Sequence, residues 1–208
     1  DGSIYVGQHA RCIDNLLILL HNEAVKFMPQ SHDVAVIAVG GYGRGEMAPF
    51  SDIDMMFLMP AKASKKHEAA IEFMLYLLWD LRLKIGHSTR SITESIAAGR
   101  YDQTIMTSFL EMRHVCGSAA LWTKFSTALR NEIGKNKPLT FVEKKLSERD
   151  LRHKRFDDTR YVVEPNVKDG KGGLRDLHSL FWIAKYAYRA DSIMDVLAQG
   201  VLRDTEVR

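Results

Sequence analysis

The chain has 208 residues, 46% of them hydrophobic and 26% charged, with a formal net charge of +3. Those are the proportions of a globular protein with room for one large domain or two small ones. The mild charge tolerates a polyanionic ligand without arguing for a polynucleotide partner, no apolar run reaches the length of a membrane span, and the first residues do not resemble a signal peptide. Cys12 and Cys116 lie far apart with no metal-type spacing, which predicts a reduced, cytoplasmic protein. The opening "DGSIYVGQHARCIDNLLILL" and the closing "LRDTEVR" carry no start or stop signal, so a piece of a longer protein is expected.

Ile13, Leu16, Leu17, Leu20 and Val25 recur at helical spacing and predict a helix over 9–28, closed by Pro29. "DVAVIAVGG" is a short β-branched run ended by Gly-Gly and predicts a buried strand, and "DIDMMFLM" predicts a second, stopped by Pro60. Ile71, Met74, Leu75, Leu78 and Trp79 predict a helix, and "LKIGHSTR" a third strand. Ser91 and Glu94 have capping-box spacing. Helices are expected over 91–99, 102–115, 117–134 and 140–158. The stretch "YVVEPNVKDGKGG" reads as a break with a short extended piece, followed by a last helix whose stripe is Leu177, Leu180, Phe181, Ala184 and Tyr188. The fold class expected is α+β (α/β-like): a small mixed sheet in residues 1–95, then a helical domain over 96–208.

The chemistry concentrates between the first two strands. Gly40, Gly41, Gly43 and Gly45 either permit positive φ in a tight turn or let backbone N–H groups approach a phosphate. A branched side chain at Gly41 is therefore expected to block both. The pattern is not a P-loop, since no Gly-Lys-Ser/Thr follows, and not a dinucleotide fingerprint, since the third glycine position falls on Glu46. Asp52 and Asp54, two apart on a strand, project from one face while Ile53, Met55 and Phe57 face the other. Two such carboxylates repel unless a cation lies between them, and oxygen-only ligands suit Mg²⁺. The alternative is a capping pair at a strand mouth; the glycines upstream and the intervening Arg44 favour the metal reading.

"GGYGRGEMAPFSDIDMMFL" resembles the signature of the DNA polymerase beta superfamily of nucleotidyltransferases. Within it, this wording is similar to the bacterial PII uridylyltransferase/uridylyl-removing family. "KIGHSTRSITESIAAGRYDQTIMTSFLEMRHVCGS" and "RFDDTRYVVEPNVKDGKGGLRDLHSLFWIAKY" resemble that family's following segments. The resemblance implies Mg²⁺-dependent transfer of UMP from UTP to a tyrosine of the PII signalling protein. It implies Asp52 and Asp54 as catalytic metal ligands, Gly40 and Gly41 as the seat of the triphosphate, and Arg44 and Ser51 as supporting phosphate contacts. The partners implied are PII and UTP, with neither membrane nor nucleic acid. Two alternatives stay open: a nucleotidyltransferase acting on another substrate, and a nucleotide-sensing module that binds without transferring.

Many superfamily members carry a third carboxylate on the next strand, where this chain has His87 and Ser88. Glu94 and Asp102, the nearest acids, read as a helix N3 residue and an N-cap. Arg149, Arg152, Lys154 and Arg155 read as a solvated helix face, and the helix start near Leu174, beside Lys171 and Arg175, as a place for an anion. His21 and His114 fall in stretches read as helical and are expected to be packing or surface residues. The family's UMP-removing activity implies a His…His-Asp…Asp hydrolase domain; His32-Asp33 reads instead as a loop entering the first strand, and that domain is expected beyond Arg208.

Overall fold

The computed structural model describes residues 2–135, 138–155, 164, 166–190, 193–198 and 200. The chain divides into two compact units, Asp1–Glu132 and Ile133–Arg208. The expected α+β class holds: the first unit combines a small mixed sheet with helices.

Helix α1 spans Gly2–Phe27, longer at its start than expected. Ala10, Ile13, Leu17 and Ala24 are its buried stripe. It ends where Pro29, lacking an N–H, opens a 3₁₀ turn, Pro29–Asp33. Strand β1, Ala35–Ala38, is buried along its whole length. It takes the single turn α2, Gly40–Gly43, at its end, and strand β2, Ile53–Met59, follows. Helix α3, Lys65–Asp80, leads to strand β3, Ile85–Ser91.

Helices α4, Ile92–Tyr101, and α5, Gln103–Phe109, precede strand β4, Arg113–Gly117, and helix α6, Ala119–Lys135. The strand order is β3-β2-β1-β4. β1 runs antiparallel to β2 and to β4, while β2 and β3 are parallel. Val36, Ala38, Ile53, Met55 and Phe57 pack with Leu17 of α1 and Ile71, Met74, Leu75 and Leu78 of α3. The other face of β2 is covered in part by α4, where buried Ser95 places its Oγ 3.8 Å from Met56 Sδ.

Strand β4 corrects the expected helix over 102–115. Helix α5 stops at Phe109, and residues 113–117 join the edge of β1. Contacts remote in sequence decide this. Arg113 makes a two-pronged ion pair with Asp14 of α1, at 2.8 and 3.0 Å, and the His114 ring stacks on Trp122 of α6 at 5.8 Å. His114 is therefore a strand residue.

The second unit contains α7, Pro138–Arg155, α8, Leu174–Tyr188, and α9, Ile193–Ala198. Phe141 stacks on Tyr186 at 4.0 Å, and buried Lys145 lies over the Trp182 ring at 5.0 Å. Helix α8 forms where expected, but its buried residues are Ser179, Trp182, Ala184 and Tyr186, while Leu177, Leu180 and Tyr188 are about half exposed. Residues 161–163 and 165 of the stretch expected to hold a short extended piece, and the expected helix end at 156–158, lie outside the described residues. Among those residues no helix is long and apolar enough to cross a membrane.

Candidate functional site

The glycine turn is built into the end of β1. Val39 donates its N–H to the Asp54 carbonyl at 3.0 Å, which ties the turn's entry to the first residues of β2. Gly43 and Arg44 then donate back to Val39 and Gly40, closing one helical turn. Positive φ falls on Gly40 (+58°) and Gly45 (+74°) and not on Gly41, so the φ argument made from sequence for Gly41 belongs to Gly40. Gly43 is needed for space: a Cβ there would lie 2.0 Å from the Glu111 carbonyl oxygen and 3.0 Å from that of Ala38.

The turn is anchored from below by a side chain that sequence reasoning passed over. Tyr42 is buried and donates its hydroxyl to Asp14 Oδ1 at 2.6 Å, and the Arg113 guanidinium, also bound to Asp14, reaches the Tyr42 carbonyl at 3.3 Å. Burial, reinforced by Asp14, pushes the Tyr42 hydroxyl far above the usual phenol range, so it stays protonated and donating.

Asp52 and Asp54 stand at the mouth of β2. Asp52, just before the strand, and Asp54, within it, are exposed, whereas Ile53 and Met55 between and after them are buried. The alternation puts both carboxylates on the face turned away from α1 and α3. The Asp54 carboxylate is set between two glycines of different elements. A Cβ at Gly40 would lie 3.3 Å from Oδ2, and one at Gly86, the register partner of Asp54 on β3, 2.4 Å from Oδ1. Gly86 was not singled out from sequence, although a glycine inside a strand pattern signals close approach of another group.

Strand β3 places Gly86 opposite Asp54 and Ser88 opposite Met56, so neither position carries a third acid. His87 faces the other way, its ring 5.9 Å from that of Trp79 on α3. Glu94 and Asp102 take the capping roles expected: Glu94 closes the box with Ser91, and Asp102 accepts from the Thr104 N–H at 2.7 Å.

Arg44 donates from Nε to Glu46 at 2.9 Å and from Nη1 to Glu111 at 2.6 Å. Burial works against its charge, but the two carboxylates more than offset it and hold the guanidinium more firmly protonated than usual. Ser51 is exposed and follows Phe50, which is 92% exposed with φ +64°. The structure thus brings Gly40, Asp54 and Gly86 into contact, with Asp52 two residues away on the same side and Arg44 over the same turn.

The remaining candidates lie elsewhere. His32 and Asp33 are exposed neighbours 3.1 Å apart in the 3₁₀ turn, and among the described residues no group of three or more His, Cys, Asp or Glu side chains is placed to hold a metal ion. The basic run on α7 is not simply solvated, since Arg152 and His153 both bind Asp176 at the start of α8. The Gly172 N–H also goes to Asp176, at 2.8 Å, so the turn before α8 is closed by the chain's own carboxylate.

Residues 20–108 match the nucleotidyltransferase domain family, and residues 140–208 match the GlnD PII-uridylyltransferase family. A bifunctional uridylyltransferase/uridylyl-removing enzyme from Rhodospirillum rubrum is 46% identical over 97% of this chain and 22% of its own length. The chain is also similar to relatives of the same name from Ruegeria pomeroyi (51% identical, 86% of this chain, 20% of the relative) and Azospirillum brasilense (49%, 82% and 18%). The chain spans about a fifth of the length of these relatives.

Proposed function

The chain belongs to the GlnD PII-uridylyltransferase family, and from that premise we propose that it transfers UMP from UTP to a tyrosine hydroxyl of the PII signalling protein, releasing pyrophosphate. The observation that carries the proposal is the seating of the Asp54 carboxylate between Gly40 and Gly86, with Asp52 on the same side of the strand mouth. The donors are all oxygen, both side chains are exposed, and two glycines keep the space around one of them clear. That set fits Mg²⁺, which keeps water and shares its shell with phosphate oxygens.

Asp52 and Asp54 would hold the ion, which when bound supplies neutralisation of the charge at the α-phosphate and on the departing pyrophosphate. Gly40 and Gly41 leave the turn free of side chains where the triphosphate approaches. Arg44 offers a permanent cation over that turn, and the Ser51 hydroxyl a hydrogen-bond donor beside Asp52. The tyrosine oxygen attacks the α-phosphorus in line, the bond from that phosphorus to the bridging oxygen breaks to release pyrophosphate, and the phenolic proton passes to solvent. Residues 1–95 carry the acids and the turn, and 96–208 are proposed to supply further nucleotide and substrate contacts. A cytoplasmic setting accompanies this reading.

Incubation with radiolabelled UTP, Mg²⁺ and PII tests it, with label expected on a PII tyrosine. Asp52→Ala and Asp54→Ala should each lower the rate about a thousandfold or more, because several kcal/mol of transition-state stabilisation go with the metal clamp. A variant that keeps more than about a tenth of the wild-type rate rules out the metal assignment, since that loss is under ~1.4 kcal/mol. UTP binding without transfer to PII would identify a nucleotide sensor instead.

A further inference from the structure

Arg44 is held by two carboxylates of unequal standing. The Glu111 side chain is 3% exposed and that of Glu46 is 56% exposed. Glu111 is fixed twice over, through its side chain on Arg44 Nη1 and through its carbonyl, which packs where Gly43 has no Cβ. Glu46 is fixed at its backbone, where its N–H donates to the Gly41 carbonyl at 3.0 Å. Its side chain extends to Arg44 Nε from the solvent side. The guanidinium itself lies against the turn, with Nη2 3.7 Å from where a Cβ of Gly41 would be.

A buried ion pair resists disruption because losing one partner strands the other charge, whereas an exposed pair competes weakly against any other anion. Building on the reading that this turn receives a nucleoside triphosphate, we propose that Glu46 is a built-in competitor for the phosphate at Arg44. Glu111 is the positioning residue that keeps the guanidinium on the turn while the exchange occurs. The exchange needs only a side-chain rotation. Arg44 Nε–H passes from a carboxylate oxygen to a phosphate oxygen, and the Glu46 backbone bond to Gly41 stays in place. Before the exchange, one cation faces two carboxylates, so the turn repels a polyanion; afterwards the excess carboxylate has moved to solvent.

The two glutamates therefore act with opposite sign. In calorimetric titration of the chain with UTP and Mg²⁺, Glu46→Gln should bind about fivefold more tightly than wild type, a gain that shrinks as salt is added. Glu111→Gln should bind about tenfold or more weakly, since the guanidinium loses its buried partner. A purely structural role for the cluster would give no gain in affinity from either variant. Wild-type binding with Glu46→Gln unchanged or weaker overturns the inference alone. No UTP binding by wild type overturns the nucleotide reading beneath it, and the inference with it. If Glu111→Gln fails to fold, the sign of the Glu46→Gln change decides.

Discussion

The Asp54 carboxylate occupies the space beside Gly86 that any other residue's side chain would fill, with Oδ1 2.4 Å from an ideal Cβ at that position. The atom in the way is the far end of a side chain and not backbone. Gly86→Ala should therefore fold, with β2 and β3 in their present register, by swinging the carboxylate out of its seat. Displacing a reacting group by about 1 Å costs on the order of a hundredfold in rate. Transfer is expected to fall by about that factor, with a melting temperature close to wild type. Full transfer by Gly86→Ala would show that the seat is dispensable.

Gly40, and not Gly41, should be the position sensitive to backbone conformation. Gly40 has φ +58°, and its Cβ would press on Asp54 Oδ2 at 3.3 Å. A left-handed non-glycine residue costs about 1–2 kcal/mol, so Gly40→Ala should lose both stability and Mg²⁺-dependent UTP affinity. At Gly41 φ is not positive, and a Cβ would meet the Glu46 carbonyl at 3.4 Å and Arg44 Nη2 at 3.7 Å. Gly41→Ala should stay near wild type in urea unfolding. Equal loss in the two variants would mean that space over the turn, and not φ, governs this loop.

Sequence pattern carried the site where its parts were local. The alternation of Asp52, Ile53, Asp54 and Met55 is a property of a single strand, and exposure follows it residue by residue. The glycines after β1 were visible for the same reason. What was missed depends on partners distant in the chain. Gly86 matters because β3 pairs in parallel with β2, and β4 is a strand because Asp14 and the β1 edge hold it. On α8, apolar residues occupy more than one face, so periodicity locates the helix while Phe141 on α7 helps select the Tyr186 side for burial. Arg44 was visible as a cation, but its two carboxylates lie two and 67 residues away, and only the first could be read locally.

His21 makes the first unit sensitive to mild acid. It is 6% exposed, with Nε2 3.3 Å from the Ser31 carbonyl. Burial lowers its pKa; the Ser31 carbonyl opposes that, and His114 and His32 add repulsion. With the folded pKa below the unfolded value of about 6.5, the unfolded chain binds the proton first as pH falls. Stability is therefore expected to decline from about pH 6.5 downward until the folded-state pKa is passed. His114, also lowered by burial, contributes in the same direction. Urea midpoints at pH 7 and pH 5 should separate more in wild type than in His21→Gln. Equal separations would remove His21 from the account.

Asp176 clasps the second unit. Its carboxylate accepts from the Gly172 N–H at 2.8 Å and from His153 Nε2 at 2.9 Å, and Arg152 Nη2 binds it as well. One side chain thus joins α7, the glycine turn and α8. Burial alone would raise its pKa, but Gly172, His153 and Arg152 together hold it below the usual carboxylate range. A depressed folded pKa contributes stability that is present above the unfolded value of about 3.9 and lost as pH falls through the folded one. Arg152 Nε is already buried without a hydrogen-bond partner among the described residues, so losing the carboxylate leaves more of that guanidinium unpaired. Asp176→Asn keeps the shape, removes the charge and turns an amide N–H₂ toward donors. It should cost about 1–3 kcal/mol at pH 7 and progressively less as pH falls below about 3.9 toward the depressed folded-state pKa. Amide hydrogen exchange over α7 and α8 reads this directly: protection should fall in the variant at pH 7 and converge with wild type in acid. Unchanged protection at pH 7 would show that α7 and α8 are held by Phe141, Trp182 and Tyr186 without the clasp.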